Sequence, residues 1–160
     1  MIQVGITLTD KDGNLPEPVS TWQFNLKFDL KKDRSSESSI QLLKDAGINF
    51  NNLEEFGIDP VRFADLFTSS GLAFSDDINW ITFHGAFDFA YLLKLLTNQI
   101  LPPTLENFNS TMKIYFPIAL DLKVIVNDVH EKRNGSLAKL AQDLCLTRTG
   151  NMHQAGSDSL

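Results

Sequence analysis

The alternation of apolar and polar residues at the start of the chain predicts a β-hairpin. Residues 4–9 alternate loosely and residues 22–28 alternate strictly, which is the pattern of half-buried strands. Between the two runs, Asp12–Asn14 predicts a turn and two prolines predict an irregular loop. The first part of the chain is therefore expected to form two paired strands.

Helical spacing replaces the alternation in the middle of the chain. Ser35 and Ser36 precede the run Glu37–Ala46, and Gly47 can close it, which predicts a first helix. A second run extends from Val61 to about Ser69, and Asp59-Pro60 supplies its cap and its first helical residue. Both segments are predicted as helices.

The second half of the chain is expected to alternate between strands and helices. The predicted elements are a short buried strand at Asn79–His84, helices at Asp88–Thr97 and Leu105–Tyr115, a strand running into a helix at Ile118–Ile125, a helix opened by Gly135-Ser136, and a final helix from about Ser157. A hairpin followed by such units predicts a mixed-sheet α/β fold. A length of 160 residues suffices for one domain with its own core.

Charge and cysteine content narrow the possible functions. With 14 Lys+Arg and 20 Asp+Glu the chain carries a formal charge of −6, which argues against holding nucleic acid by bulk charge. A nucleic-acid enzyme that binds metal through carboxylates remains compatible with this charge. The single cysteine, Cys145, excludes an internal disulfide and a cysteine-based zinc site, and its apolar surroundings predict a buried position. No apolar run approaches the roughly 20 residues of a membrane span, so no membrane partner is expected.

Asp88 is the first candidate for chemistry. It follows a hydrophobic strand and opens a predicted helix, and the carboxyl end of a strand is where α/β sheets place ligand sites. The alternative is that Asp88 only caps the helix. Asp121 also lies in an apolar setting, and we interpret it as a structural residue in preference to a metal ligand.

The second candidate is the sequence HQAGSD at residues 153–158. His153 precedes Asp158 by five positions, and the small residues between them allow both side chains to face one pocket where a loop becomes a helix. Asp158 could instead be a simple cap. Together with Asp88, these are the residue types of a two-metal phosphodiesterase, in which carboxylates hold the ions and a neutral histidine takes a proton from water.

These residues also carry a resemblance to a known family. Residues 153–158 fit the His-x-Ala-x-x-Asp third motif of the His-bearing branch of DEDD-type 3′-exonucleases. In the form found here the motif resembles that of the Caf/Pop-type catalytic subunit of the Ccr–Not mRNA deadenylase complex. The segments that resemble this subunit follow its order and cover nearly the whole chain: Ser20–Phe28, Gly57–Asp59, Phe83–Thr97, Phe116–Lys123 and His153–Leu160.

The resemblance implies a fold, an activity and a site. The fold is a ribonuclease-H-like α/β fold with a mixed sheet flanked by helices, and the activity is 3′-to-5′ removal of AMP from mRNA poly(A) tails. Asp88 matches a ligand of one metal ion, Asp158 matches a ligand of the other, and His153 matches the residue that positions or deprotonates the attacking water. Asp121 matches an aspartate outside the ligand set. The resemblance further implies two divalent metal ions, Mg²⁺ or Mn²⁺. The implied partners are the poly(A) tail and the scaffold and second nuclease subunits of the complex. The implied location is the cytoplasm and the nucleus.

One part of the family pattern is missing from these 160 residues. The family's first motif is an Asp-x-Glu pair on a central strand that pairs with the first strand present here, and the sequence contains no Asp-x-Glu. Residues 1–160 are therefore expected to be a single, incomplete exoribonuclease domain that lacks this strand and most of the last helix. Alone, the chain is expected to be inactive or barely active. Two alternatives remain: a truncated, non-catalytic binding module of the deadenylase complex, and a more general RNA- or DNA-end exonuclease of the same fold.

Overall fold

The computed structural model describes residues 1–129 and 135–160, which divide into two compact units. The first unit comprises Met1–Asp59 and Thr147–Leu160, and the second comprises Pro60–Leu146. In chain order the elements are β1 (Gln3–Thr7), β2 (Thr21–Asn25), α1 (Glu37–Asp45), α2 (Phe50–Phe56), α3 (Pro60–Ser69), β3 (Asn79–Thr82), α4 (Ala86–Thr97), α5 (Leu105–Tyr115), β4 (Ile118–Asp121), α6 (Leu122–Val129), α7 (Leu137–Asp143) and α8 (Ala155–Ser159). The prediction of one incomplete domain over residues 1–160 stays a prediction.

The predicted hairpin is confirmed in the first unit. Strands β1 and β2 pair antiparallel, with Gly5 opposite Gln23, and the side chains of Val4 and Ile6 are buried on one face. The other face of the hairpin is polar and glycine-containing, and α8 packs against it. One face of the hairpin thus contributes to the hydrophobic core, and the other face contacts α8.

Helices α1 and α2 complete the first unit. The side chain of Ser36 caps α1 by accepting from the Ser39 N–H, and Gly47 follows the helix at φ 89°, as its predicted role in closing the helix requires. Helix α2 was not predicted from the sequence, because its seven residues are too few to show a helical period. It brings Phe50 and Leu53 to a small core that also contains Phe28 and Ile48.

The second unit contains a parallel strand pair. Strands β3 and β4 pair with Thr82 opposite Asp121, so both strands end at the same edge. The helices α3, α4 and α5 lie at their predicted positions, and α4 begins two residues earlier than predicted. Phe116 is only 1% exposed and lies at the centre of an aromatic cluster with Trp80, Phe89 and Tyr115.

Two expectations need correction. Strand β3 was predicted as buried, but Ile81 is 58% exposed, because among the described residues only the face that carries Trp80 is covered. The predicted burial of Cys145 is wrong: the residue is exposed at φ 56°, since the backbone leaves α7 through a left-handed turn at this position.

The mixed α/β class is confirmed by this set of elements. None of the helices in the described part of the chain combines the length and the apolar character needed to cross a membrane.

Candidate active site

Asp88 lies in the first turn of α4. The helix begins at Ala86 with Gly85 as its N-cap, so the interpretation of Asp88 as the cap is wrong. Its side chain is exposed and accepts no hydrogen bond among the described residues, yet the surrounding protein removes enough water from the carboxyl group to raise its pKa. The nearby His84 lowers this pKa and the negative charge of Asp121 raises it, both by less than desolvation does. Among the described residues, desolvation is therefore the dominant influence on the carboxyl group of Asp88.

Asp121 holds the turn that precedes α4. Its Oδ1 accepts from the backbone N–H groups of His84 (2.8 Å) and Lys123 (2.9 Å), and its Oδ2 accepts from the Gly85 N–H (3.0 Å). Desolvation is the largest single influence and raises the pKa of Asp121, but these backbone donors together outweigh it and the pKa lies below its ordinary value. The structural role predicted for Asp121 agrees with these contacts.

His153 and Asp158 lie in the first unit, on either side of the start of α8. His153 is exposed, has φ 64° and immediately precedes Gln154, the N-cap of the helix. Asp158 is the fourth residue of α8, so it is not the cap that the alternative interpretation made it. Its Oδ1 forms an ion pair with the guanidinium of Arg148.

A set of glutamines that sequence reasoning missed anchors α8 to the hairpin. Gln3 Oε1 accepts from the Ala155 N–H (3.3 Å) and Gln23 Oε1 from the Gly156 N–H (2.9 Å). The side-chain amides of Gln3 and Gln23 both donate to Gln154 Oε1, at 3.1 and 3.2 Å. Because a free helix N-terminus leaves N–H groups unpaired, these acceptors fix where α8 begins. The signal in the sequence was a glycine in the middle of an otherwise polar strand face.

The three predicted site residues are thus distributed over both units. Asp88 lies in the second unit, whereas His153 and Asp158 lie in the first. Within the described residues, no group of three His, Cys, Asp or Glu side chains is close enough to hold a metal ion. The donor chemistry nevertheless fits Mg²⁺ or Mn²⁺, which prefer carboxylate oxygens. Asp88 meets this requirement directly, and Asp158 meets it once its oxygen is released from Arg148.

Removing the charge of Asp88 is expected to stabilise the metal-free chain at neutral pH. The pKa of Asp88 in the folded chain lies above the ordinary value of 3.8, so its contribution to stability is complete below that value and is lost as the pH rises through the folded pKa. Asp88→Asn should therefore raise the unfolding temperature at pH 7 in EDTA, and the gain should vanish as the pH falls below 3.8.

The matched control is Asp65→Asn, which removes an exposed carboxylate from α3. Thermal unfolding followed by circular dichroism between pH 3.5 and pH 7 gives the comparison. A lower unfolding temperature for Asp88→Asn at pH 7 contradicts the assignment of desolvation as the dominant influence on Asp88.

Comparison with known structures defines the class of protein. The chain superposes on the Pop2p protein of Schizosaccharomyces pombe in its Mg²⁺- and Mn²⁺-bound form with a TM-score of 0.94 and 45% identity, over 99% of this chain and 62% of that one. It superposes on CAF1 co-crystallised with the yeast NOT1 MIF4G domain with a TM-score of 0.85 and 38% identity, over 99% of this chain and 61% of that one. The fold is therefore the ribonuclease-H-like fold of Pop2 ribonuclease domains.

The sequence comparison gives the family. The chain belongs to the CAF1 family of ribonucleases, whose sequence profile matches residues 72–160. The poly(A) ribonuclease pop2 of Schizosaccharomyces pombe is 45% identical over all 160 residues. The chain spans 48% of the length of that relative. The resemblance identified from residues 153–158 and the other segments is thereby confirmed.

Proposed function

We propose that the protein is a poly(A)-specific 3′-to-5′ exoribonuclease that shortens mRNA poly(A) tails and releases AMP. The observation that carries the proposal is the 45% identity to a poly(A) ribonuclease over the full length of this chain. Asp88, His153 and Asp158 are the residues to which we assign the chemistry. Cytoplasm and nucleus are the proposed locations, and the poly(A) tail is the proposed substrate.

The assigned residues have distinct tasks. Asp88 would hold one divalent ion and Asp158 the other, with Mg²⁺ or Mn²⁺ as the ions. When bound, such ions activate water and stabilise the charge that develops on a phosphodiester under attack. The imidazole of His153, exposed directly before α8, would position the attacking water or accept its proton. Arg148, which holds Asp158 in the structure, has to release that carboxylate oxygen for an ion to bind there.

These residues account for only part of the proposed site. The family pattern adds an Asp-x-Glu pair, which the 160 residues do not contain. We therefore propose that residues 1–160 form one incomplete exoribonuclease domain, and that the chain alone is inactive or barely active. The reason is that Asp88 and Asp158 by themselves leave each ion short of carboxylate ligands.

A second candidate function is a non-catalytic binding module of the deadenylase complex. A CAF1 protein has been co-crystallised with a NOT1 MIF4G domain, and the present chain matches 61% of that CAF1 chain. On either proposal, the partners of this chain are the scaffold subunit and the second nuclease of the Ccr–Not complex.

A chimera separates the two candidates. Residues 1–160 replace the matching segment of the Schizosaccharomyces pombe poly(A) ribonuclease pop2, so that all other parts come from the relative. The exoribonuclease proposal predicts Mn²⁺- or Mg²⁺-dependent release of AMP from RNA with a 3′-oligo(A) tail, with poly(A) competing better than mixed-sequence RNA or single-stranded DNA. The unaltered relative is the positive control, and circular dichroism establishes that the chimera is folded.

Two other outcomes of the chimera experiment would each support one of the alternative functions. A folded chimera that binds a NOT1 MIF4G domain without releasing AMP supports the non-catalytic module. A chimera that digests mixed RNA or single-stranded DNA as fast as poly(A) supports a general end-exonuclease. For the 160-residue chain alone, AMP release near the rate of the relative would contradict the proposed need for the Asp-x-Glu pair.

A further inference from the structure

We propose that Asp121 is a positioning residue that sets the place of Asp88 by holding the turn at His84 and Gly85. The inference deepens the proposed function, because it rests on the role of Asp88 as a metal ligand. Asp121 touches neither substrate nor metal in this proposal and acts only through the backbone that leads to Asp88.

The first step is that both carboxylate oxygens of Asp121 are engaged by backbone. Oδ1 lies 2.8 Å from the His84 nitrogen and 2.9 Å from the Lys123 nitrogen, and Oδ2 lies 3.0 Å from the Gly85 nitrogen. One side chain on β4 thereby ties the start of α6 to the turn before α4. An ionised carboxylate accepting from several N–H groups forms the stronger, charge-assisted kind of hydrogen bond.

The second step is that the turn at His84 and Gly85 needs hydrogen bonds from outside the turn to keep its conformation. His84 has φ 60°, a left-handed conformation that residues with a Cβ rarely adopt. Gly85 is the N-cap of α4 and carries no side chain to accept the first N–H groups of the helix. A Cβ on Gly85 would lie 2.4 Å from Thr82 Oγ1, so the turn also runs tightly against the end of β3. Asp121, opposite Thr82 in the strand pair, is placed to hold both residues of the turn.

The third step connects the turn to Asp88. The Phe89 N–H donates to the Gly85 carbonyl at 2.9 Å, so the first turn of α4 is built directly on Gly85. Asp88 lies within that turn. A shift of Gly85 is therefore transmitted to the Cα of Asp88 through the first turn of α4. Metal ligands must keep their donor atoms within narrow distances, which makes such a shift costly for binding.

The experiment uses the chimera of residues 1–160 with the Schizosaccharomyces pombe relative, which supplies the Asp-x-Glu pair, and two readouts that do not depend on activity. Amide hydrogen exchange measures the protection of the His84 and Gly85 N–H groups without metal. Electron paramagnetic resonance of free Mn²⁺ measures metal affinity. The variants are Asp121→Ala, Asp121→Asn and Asp88→Asn, with Asp128→Ala on α6 as the control for removing an exposed aspartate.

In Asp121→Ala, exchange of both amides is expected to accelerate about tenfold or more, which corresponds to the loss of a hydrogen bond to a charged acceptor. The Kd for Mn²⁺ should rise about tenfold or more, because the geometry around a metal ligand is lost. Asp121→Asn should be intermediate in both readouts, since its Oδ1 can still accept from His84 and Lys123 while its amide nitrogen opposes the Gly85 N–H. Asp128→Ala should change neither readout.

The possible failures are distinguishable. Faster exchange with unchanged Mn²⁺ affinity in Asp121→Ala, beside weakened binding in Asp88→Asn, overturns the positioning role and leaves the metal site standing. Unchanged exchange overturns the hold on the turn itself. Equal Mn²⁺ affinity in the wild type and in Asp88→Asn overturns the proposed metal site, and this inference with it. If Asp121→Ala does not fold, Asp121→Asn decides by the same comparisons.

Discussion

Replacing Gly5 with alanine is expected to detach α8 from the hairpin and to destabilise the first unit by about 2–3 kcal/mol, the upper part of the range for an overpacked site. A Cβ at this position would lie 1.9 Å from the Ala155 carbonyl oxygen and 2.1 Å from its carbon. These are backbone atoms, so no side-chain rotation can relieve the overlap. Since α8 carries Asp158 and follows His153, the same change displaces two of the three proposed site residues.

The control for this prediction is Gly13→Ala in the turn between β1 and β2. Gly13 has φ 84°, and a Cβ added at this position would have no atom within 4 Å. Alanine there therefore adds backbone strain without a steric overlap. Chemical denaturation gives the stability of both variants, and hydrogen exchange of the Ala155 and Gly156 amides reports the docking of α8. A Gly5→Ala variant as stable as Gly13→Ala, with these amides still protected, would contradict the close approach of the α8 backbone to Gly5.

Replacing Phe116 with alanine is expected to lower the free energy of unfolding of the second unit by about 3–5 kcal/mol, the cost of truncating a buried phenylalanine. The ring is 1% exposed, and its centroid lies 5.1 Å from those of Trp80 and Phe89. Truncation leaves a cavity that two large aromatic rings cannot collapse to fill. The residue also joins α5 to β4, so the strand that carries Asp121 loses its support.

Phe87→Ala is the matched control for Phe116→Ala, because it makes the same truncation at a residue 72% exposed on α4. We expect a cost within about 0.5 kcal/mol there, as for surface substitutions in general. Urea unfolding followed by tryptophan fluorescence measures both, since Trp80 lies against Phe116. Similar costs for the two variants would contradict the placement of Phe116 at the centre of the core.

The elements that repeat a pattern over many residues could be predicted from the sequence. The alternation at residues 22–28 gave β2, and the cap and glycine signals around Glu37–Ala46 gave α1. Helix α2 could not be predicted, because it is too short to show a helical period and is stabilised by the packing of Phe50 and Leu53. Cys145 was placed in the core because an apolar run continues past the end of α7, where the backbone turns away.

For the candidate site, prediction from the sequence was limited in a different way. The identities of Asp88, His153 and Asp158 followed from local sequence and from the family resemblance. The residues that hold them did not, because their contacts join distant parts of the chain: Gln3 and Gln23 reach α8 across more than 130 positions, and Asp121 reaches the turn before α4 across 36. From the sequence alone, a polar side chain on a strand is as compatible with exposure to solvent as with binding to a helix terminus. Only the fold distinguishes the two.

The central claim is that Asp88, His153 and Asp158 belong to a metal-dependent, poly(A)-directed hydrolytic site. The rate of AMP release from 3′-oligo(A) RNA by the chimera, compared with the same chimera carrying Asp88→Ala, tests it most directly. We predict measurable release with Mn²⁺ or Mg²⁺ and a fall of about 10³-fold or more in the variant, since metal ligation contributes several kcal/mol to the transition state. A folded chimera whose release is absent, or is the same with and without Asp88, would contradict the claim.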